Sequence, residues 1–354
     1  MRGSARRTGQ SASAQSPAIP VSTVQVPARN VTMKILITGG AGFLGTRLAH
    51  ALLRRTQFLG RMPGEIALAD LARPAADLVR NARIRHLVGP LVDQCSAFVS
   101  EKFDVVFHLA AAVSAECETD FDLGLRSNLD ASRALLDALK EAGNCPRFVF
   151  ASSAAVFGND PGLPLPLVVR DDTLPTPQTS YGIQKFICEQ LVADYARKGF
   201  INGRSARLVT VIVRPGKPNG AASGFLSSIV REPLSGRPVV CPVPPDTAVA
   251  VSSPDNTIAG LVAVAEAEWA TLGGRTALNL PALTVQVSDI LDALEAVAGR
   301  ASRERVHFEL DPTIAGIVRG WPSAFDNTRA IRLGLRPDPD VISIIRQFVS
   351  EMQS

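Results

Sequence analysis

The sequence lacks the cysteine pattern of a metal centre or of a disulfide framework. It contains five cysteines and four histidines, with no CxxC pair and no cysteine–histidine pair at zinc-ligand spacing. An odd number of cysteines at scattered positions is typical of reduced thiols that pack as small apolar side chains. We therefore expect a cytoplasmic protein with neither a metal site nor disulfides.

Acidic residues are absent from the start of the chain, and Glu65 is the first carboxylate. Four of the 37 basic residues lie within residues 1–32, and the others balance the 33 acidic residues of the remaining chain. The net charge of +4 is therefore a property of the N-terminal segment. A formally neutral body gives no indication of a nucleic-acid partner.

Residues 1–32 also lack an apolar run long enough for a secretory signal or a membrane span, so no membrane association is predicted. The segment is rich in Ser, Ala, Arg and Pro, as an organelle transit peptide is. Disorder, or a start upstream of a true beginning at Met33, explains the same composition. We expect residues 1–32 to be a disordered extension.

A glycine-rich turn follows the first apolar strand. The strand is predicted at Lys34–Thr38, and the sequence GGAGFLG then leads into leucines at helical spacing. Gly39 permits a tight turn, Gly42 lets the backbone approach a pyrophosphate, and Gly45 lets the helix pack on the strand. The amides and dipole at the helix N-terminus would bind that anion. The residues predicted to contact the cofactor here are Gly39, Gly42, Phe43, Leu44 and Gly45.

The second predicted strand, Glu65–Asp70, ends on a carboxylate. An acidic side chain at this point accepts hydrogen bonds from the adenosine ribose and repels a 2′-phosphate, which favours NAD over NADP. Arg73 could instead pair with that phosphate, so NADP is the alternative cofactor.

Strands alternate with helices through the first two thirds of the chain. Further strands are predicted at Ile84–Val88, Val105–Leu109, Arg147–Ala151 and Leu208–Val213. The alternation predicts an α/β fold with a doubly wound parallel Rossmann sheet. His108, inside an apolar strand, is interpreted as a core residue. Ligands bind beyond the carboxyl ends of such strands. Further cofactor contacts are therefore predicted at Leu91, Ala110, Ala111, Ser152 and Pro215.

Tyr181 and Lys185 lie one helical turn apart on a helix predicted from Tyr181 to Lys198. The ammonium group would stabilise the phenolate, which makes the tyrosine a candidate general base or acid. We expect Ile183, Ile187 and Leu191 to form the buried face of this helix, with the tyrosine and lysine facing a cleft. Taken alone, such a pair is more often found on a protein surface.

Four motifs occur in order: TGGAGFLG, Asp70, the strand into SSAAVFG, and YGIQK. Together they resemble the extended short-chain dehydrogenases/reductases, the NAD-dependent epimerase/dehydratase enzymes. The resemblance implies an NAD-dependent oxidoreductase in which Tyr181 is the acid/base. It also implies that Lys185 holds the nicotinamide ribose and that Ser153 positions the reacting hydroxyl or carbonyl group.

Residues of this chain distinguish between the reactions that members of this family catalyse. Its sugar-nucleotide dehydratases carry an Asp-Glu pair where this chain has Ala154 and Ala155, so dehydration is set aside. Residues 213–238 resemble a branch that oxidises a four-carbon sugar acid, D-erythronate, at C2 to a 2-keto acid. Two alternatives remain: a sugar-nucleotide epimerase using the same Ser/Tyr/Lys site, and a non-catalytic protein that binds NAD.

A small sugar acid needs a cation for its carboxylate and hydrogen-bonding partners for its hydroxyl groups. Lys217 and Arg231 are the cations in this block, although both can equally be solvated surface charges. The predicted substrate contacts are Ser153, Tyr181, Lys217, Asn219, Ser223 and Arg231.

The chain divides into three predicted parts. After the extension, residues 33–215 form the NAD-binding domain and residues 216–354 the substrate-binding region. Segments around 250–285 are expected to pack back on the Rossmann core. The dimer of the resembled family implies that two long helices, Leu125–Ala142 and Tyr181–Lys198, pair with a second subunit in a four-helix bundle. The expected partners are thus a small sugar acid and a second copy of the chain.

Overall fold

The computed structural model of the chain describes residues 32–216 and 222–353. Of the extension predicted to be disordered, residues 1–32, all but Thr32 lies outside these residues, and so do the substrate contacts predicted for Lys217 and Asn219. Within them no helix is long and apolar enough to cross a membrane.

The strands of the described residues are β1 (Met33–Thr38), β2 (Pro63–Asp70), β3 (Ile84–Val88), β4 (Val105–His108), β5 (Arg147–Ser153), β6 (Asn202–Leu208), β7 (Thr210–Val211), β8 (Val239–Cys241), β9 (Ala248–Ser252), β10 (Leu278–Asn279), β11 (Leu283–Gln286) and β12 (Val306–Phe308). The helices are α1 (Phe43–Leu53), α2 (Ala76–Val79), α3 (Leu91–Glu101), α4 (Ser114–Thr119), α5 (Phe121–Gly124), α6 (Ala131–Ala142), α7 (Ser180–Arg197), α8 (Gly224–Leu234), α9 (Pro254–Glu266), α10 (Trp269–Leu272), α11 (Val287–Ala298), α12 (Arg300–Arg303), α13 (Pro312–Arg319), α14 (Thr328–Arg332) and α15 (Val341–Met352). A π-helical segment, Leu125–Asp130, leads directly into α6.

Seven parallel strands form the central sheet in the order β10-β6-β5-β4-β1-β2-β3. From β1 the chain proceeds outward to β3, returns to β4 and then proceeds outward in the other direction. The strand order therefore reverses between β1 and β4, where Thr38 pairs with His108. Such a reversal opens a crevice at the carboxyl ends of the strands. The predicted doubly wound Rossmann sheet is confirmed.

The inner strands β1 and β4 are buried on both faces, which explains why they are almost continuously apolar. Successive residues of β1 alternate between two cores: Ile35 and Ile37 pack with α1 and α9, and Leu36 packs with α3, α6 and α7.

The C-terminal part contributes a separate hydrophobic core and also returns to the central sheet. Its core is built by β9, α8, α11 and α15, with Val251, Ile290 and Ile345 at less than 2 % exposure. In contrast, α9 and β10 supply Ile258 and Leu278 to the core of the central sheet.

The predicted position of the sixth sheet strand is wrong. The strand spans Asn202–Leu208 rather than Leu208–Val213. Arg204 and Arg207 make this segment look too polar for an inner strand, yet both are buried. Arg204 donates hydrogen bonds to carbonyl groups at the end of α9, and Arg207 pairs with a carboxylate of α7. Both arginines fit inside the protein because their terminal guanidinium nitrogens have partners, although Nε of Arg204 has none among the described residues.

The buried face predicted for α7 is wrong at Ile183 and Ile187, whereas Leu191 is partly buried against the core. Ile183 and Ile187 are 46 % and 38 % exposed, whereas Lys185 is 3 % exposed. Lys185 Nζ donates a hydrogen bond to Ala151 O at 2.9 Å, which attaches α7 to the end of β5. The polar face of α7 packs inward because its charged groups find partners there.

Candidate active site

The glycine-rich turn after β1 brings backbone segments into close contact. Gly39 has φ +70°, and a Cβ built on it would lie 2.8 Å from Ala110 N. A Cβ on Gly45 would lie 2.1 Å from Gly39 O. Only glycine therefore fits at either position. The compact turn leaves the first amides of α1, at Phe43 and Leu44, without an acceptor inside the helix, as a pyrophosphate site requires.

Asp70 lies at the carboxyl end of β2, beside this turn. Its Oδ2 accepts a hydrogen bond from Ala41 N at 3.0 Å, and its Oδ1 accepts one from Ala72 N at 3.0 Å. The two amides fix the carboxylate at the position where an adenosine ribose would lie. The turn and Asp70 together fit a dinucleotide.

Three of the other predicted cofactor residues lie at the same edge of the sheet, since Ala110 and Ala111 follow β4 and Leu91 begins α3. Pro215 is exposed and lines a second cavity together with Arg231. Ser152 is buried, and its hydroxyl donates to Glu189 Oε1 at 2.5 Å, so this side chain is occupied within the protein.

Tyr181, Lys185 and Ser153 come together because α7 packs against the end of β5. A Cβ on Gly182 would lie 2.1 Å from Ala155 O, so the first turn of α7 nearly touches the backbone that follows Ser153. Lys185 Nζ lies 5.6 Å from the centre of the Tyr181 ring. The ammonium group therefore lies over the ring of Tyr181, and Lys185 is buried.

A buried ion pair reinforces this junction. The guanidinium of Arg207 donates to Glu189 through Nε at 2.9 Å and through Nη2 at 2.8 Å. Glu189 lies one turn beyond Lys185, so two consecutive turns of α7 are attached to β5 and β6. This pair was missed at the sequence level because nothing local indicates that a glutamate and an arginine 18 residues apart will meet.

A cavity of about 1650 Å³ opens beside Ser153 and Tyr181. Its walls come from β5, α7, α8, α13 and the segment after β7, and include Ser153, Tyr181, Arg214, Ser223, Phe225 and Trp321. Ser223, a predicted substrate contact, is therefore part of the wall. The volume accommodates a small polyhydroxylated substrate.

Arg231 does not line this cavity. It is 6 % exposed, and its guanidinium donates to Arg214 O, Ser228 Oγ and Glu232 Oε1. The structure instead brings Arg214, which was not among the predicted contacts, to the cavity wall. Its position directly after a buried Val-Ile-Val run was the available signal, since side chains at strand ends face this edge of the sheet.

His108 has a structural role, as predicted. It is 1 % exposed, and its ring nitrogens lie 2.6 Å from Thr38 Oγ1 and 2.8 Å from Ser132 Oγ. Burial, and then the charge of Lys185, lower the pKa of His108 to about 3, so the ring is neutral. Among the described residues no group of His, Cys, Asp and Glu side chains could hold a metal ion.

Comparison with known proteins agrees with this geometry. Residues 35–245 match the NAD dependent epimerase/dehydratase family. The chain belongs to this family. It is 46 % identical over 327 residues to a D-erythronate dehydrogenase of Cupriavidus necator, covering 90 % of this chain and 98 % of that enzyme. It is 41 % identical to a D-erythronate dehydrogenase of Haemophilus influenzae over 90 % and 99 % of the two chains.

A solved structure is similar as well. The nucleoside-diphosphate-sugar epimerase of Agrobacterium tumefaciens superposes with a TM-score of 0.85 at 38 % identity, covering 91 % of this chain and 95 % of that one. The family predicted from the four motifs is therefore confirmed.

Proposed function

We propose that the protein is an NAD-dependent dehydrogenase that oxidises D-erythronate at C2 to 2-oxo-tetronate, a reaction of carbohydrate metabolism. The observation that carries this proposal is the match to two D-erythronate dehydrogenases at 46 % and 41 % identity over nearly their whole lengths. The junction of Tyr181, Lys185 and Ser153 supports it, because it supplies the groups that oxidation of an alcohol needs.

Each of the three side chains has a distinct role. Tyr181 takes the proton of the C2 hydroxyl, and Ser153 hydrogen-bonds the same oxygen while it becomes a carbonyl oxygen. Lys185 stabilises the phenolate and holds the nicotinamide ribose. NAD, when bound, accepts the hydride from C2. The substrate thus loses a proton to Tyr181 and a hydride to NAD, and no reactant besides NAD is needed.

The cofactor is NAD rather than NADP. The Asp70 carboxylate, held by two backbone amides, would repel a 2′-phosphate and accept hydrogen bonds from the ribose hydroxyls. Arg73 is exposed and lies beyond this carboxylate. Phosphate contacts are assigned to the amides at the start of α1.

The second candidate is a sugar-nucleotide epimerase, favoured by the likeness to the Agrobacterium tumefaciens structure. It has less support, since the dehydrogenases are more similar in sequence. A non-catalytic NAD-binding protein is disfavoured because Tyr181 and Lys185 are both present and adjacent.

The protein is further proposed to act in the cytoplasm as a homodimer. The exposed apolar side chains of α7, Ile183 and Ile187, support the dimer, because exposed aliphatic residues on one helical stripe are typical of helix–helix interfaces. Four helices, α6 and α7 of each subunit, would form the bundle.

The experiment is to incubate purified protein with NAD and a panel of four- and five-carbon sugar acids, and to follow the absorbance of NADH. We expect NADH with D-erythronate and little with UDP-hexoses. Interconversion of UDP-hexoses, without NADH from any sugar acid, would establish the epimerase instead.

A further inference from the structure

Arg214 places a positive charge beside the catalytic phenol. It lines the cavity together with Tyr181 and Ser153, and its guanidinium is half-buried. Burial lowers the pKa of Arg214, and the negative charge of the Tyr181 phenolate raises it, which indicates that the two groups interact. Arg319 is the other cation among the described residues of the wall, and it is exposed.

Among the residues that the structure describes, the guanidinium of Arg214 has no anionic partner. Every aspartate and glutamate of the chain lies in the described residues, and none of them forms an ion pair with Arg214. Its side chain donates one hydrogen bond, from Nε to Val211 O at 3.0 Å. A partly buried charge without a counter-charge is unfavourable, and binding an anion removes that cost.

The backbone of Arg214 is held rigidly, which fixes where the guanidinium can reach. Its amide donates to Ser227 Oγ at 3.1 Å, and its carbonyl accepts from Arg231 Nη1 at 2.8 Å. Arg231 is itself held by Ser228 Oγ at 3.1 Å. Arg231, predicted as a substrate contact, thus supports the residue that does face the cavity. A binding group fixed in this way loses little entropy when its ligand arrives.

We infer that Arg214 binds the carboxylate of the substrate and thereby restricts the enzyme to 2-hydroxy acids. This inference rests on the proposed dehydrogenase function. In a 2-hydroxy acid the carboxylate and the reacting hydroxyl are on adjacent carbons, so the cation that binds the first must lie beside the base that deprotonates the second. Arg214 and Tyr181 meet that requirement. A guanidinium can also bind a carboxylate through two parallel hydrogen bonds, which fixes the orientation of C2.

The same geometry disfavours a sugar nucleotide as the anion. The diphosphate of a sugar nucleotide is separated from the reacting carbon of the hexose by the sugar ring. A cation that contacts the diphosphate would therefore lie far from the phenol, whereas Arg214 interacts with it.

The test compares D-erythronate with its neutral amide, D-erythronamide, in the wild type and in R214Q, R214K and R319Q. We expect the wild type to prefer the acid in kcat/KM, and R214Q to lose about 100-fold on the acid while changing little on the amide. R214K, which keeps the charge, should recover part of the preference. R319Q should keep the wild-type preference, and all variants should bind NAD as the wild type does.

Three outcomes overturn the inference: R214Q that still prefers the acid, R214Q that loses both substrates equally, and R319Q that abolishes the preference. Failure of the proposed function gives a different result. If the wild type produces no NADH, the shift in Tm that D-erythronate causes in the presence of NAD tests whether Arg214 is the carboxylate site. A shift in the wild type that is absent in R214Q supports Arg214 as the carboxylate site, and an equal shift in both contradicts it.

Discussion

Glu189 and Arg207 form a two-point ion pair in which both side chains are only 3 % exposed. The Glu189 carboxylate also accepts a hydrogen bond from the hydroxyl of Ser152, the residue before Ser153. The ion pair therefore joins α7, β5 and β6 directly behind Ser153. Buried pairs of this kind stabilise a structure only while both partners are present.

Replacing Glu189 by glutamine should leave the Arg207 charge without its counter-charge. We expect the free energy of unfolding to fall by about 3–5 kcal/mol, measured by urea denaturation. The double variant Glu189→Leu/Arg207→Met should be destabilised much less, because neither charge remains. Asp194→Asn is the matched control, since the Asp194–Arg197 pair on the same helix is 56 % exposed at both residues and should matter by less than about 1 kcal/mol. Equal effects of E189Q and D194N would contradict this account.

Tyr181→Phe should bind NAD normally and lose at least about a hundredfold in turnover, because it removes the group that takes the hydroxyl proton. The chain offers a matched control, since its only other tyrosine, Tyr195, donates to Asp137 at 2.7 Å on the far part of α7. Tyr195→Phe should keep wild-type turnover. Steady-state kinetics give the turnover, and the quenching of protein fluorescence by NAD gives the binding of the cofactor. A Y181F enzyme that keeps wild-type turnover would contradict the mechanism.

Asp70→Ser should weaken the discrimination against NADP. Loss of the carboxylate removes its repulsion of the 2′-phosphate and its hydrogen bonds to the ribose. We expect the ratio of kcat/KM for NAD over NADP to fall by about tenfold to a hundredfold. Arg73→Ala is the comparison. A wild type that prefers NADP, and loses that preference in R73A, would show that Arg73 rather than Asp70 selects the cofactor.

His108 should make the protein sensitive to mild acid. Burial and the charge of Lys185 lower its pKa from 6.5 to about 3, so the unfolded chain binds a proton over a pH range in which the folded protein does not. The contribution of the neutral ring to the free energy of unfolding should therefore be fully present above pH 6.5. Below this pH the free energy of unfolding should fall toward pH 3, by up to about 1.4 kcal/mol per pH unit. Urea denaturation at pH 7.5, 6.5, 5.5 and 4.5, roughly spanning the reference value, measures this slope. His108→Gln should be less stable at neutral pH yet have a shallower slope, and an unchanged slope would refute the assignment.

The proposed dimer depends on the exposed stripe of α7. Ile183→Glu/Ile187→Glu should convert a dimer into a monomer in sedimentation velocity, because charges would enter the helix bundle. Val88→Glu, at a residue 54 % exposed on the edge of the sheet, should leave the oligomeric state unchanged. A wild type that sediments as a monomer would contradict the proposal.

The residues predicted for the cofactor side of this site come from local sequence patterns. The glycines of the first turn, Asp70 and the Tyr181–Lys185 pair are each recognisable within a few residues, because turn geometry and helical spacing act locally. The alternation of strands and helices likewise predicted a doubly wound sheet, although it misplaced the sixth strand.

What the sequence did not reveal depends on contacts between distant segments. Arg204 and Arg207 obscured an inner strand, since their partners lie elsewhere in the chain. The inward face of α7 could not be recognised from its apolar residues, because Lys185 and Glu189 are the side chains that attach it to the sheet. The sequence does not distinguish the roles of Arg214 and Arg231. Only the folded chain shows that Arg214 faces the cavity and that Arg231 supports its backbone.

The most direct test of the central claim is to follow the hydrogen on C2. D-Erythronate carrying deuterium at C2 would be incubated with the protein and unlabelled NAD, and the reduced cofactor analysed by mass spectrometry. We expect the reduced cofactor to carry the deuterium, and the labelled cofactor to form at least about a hundredfold more slowly when Tyr181→Phe replaces the wild type. Unlabelled NADH from the deuterated substrate would mean that another carbon is oxidised, and would contradict the claim.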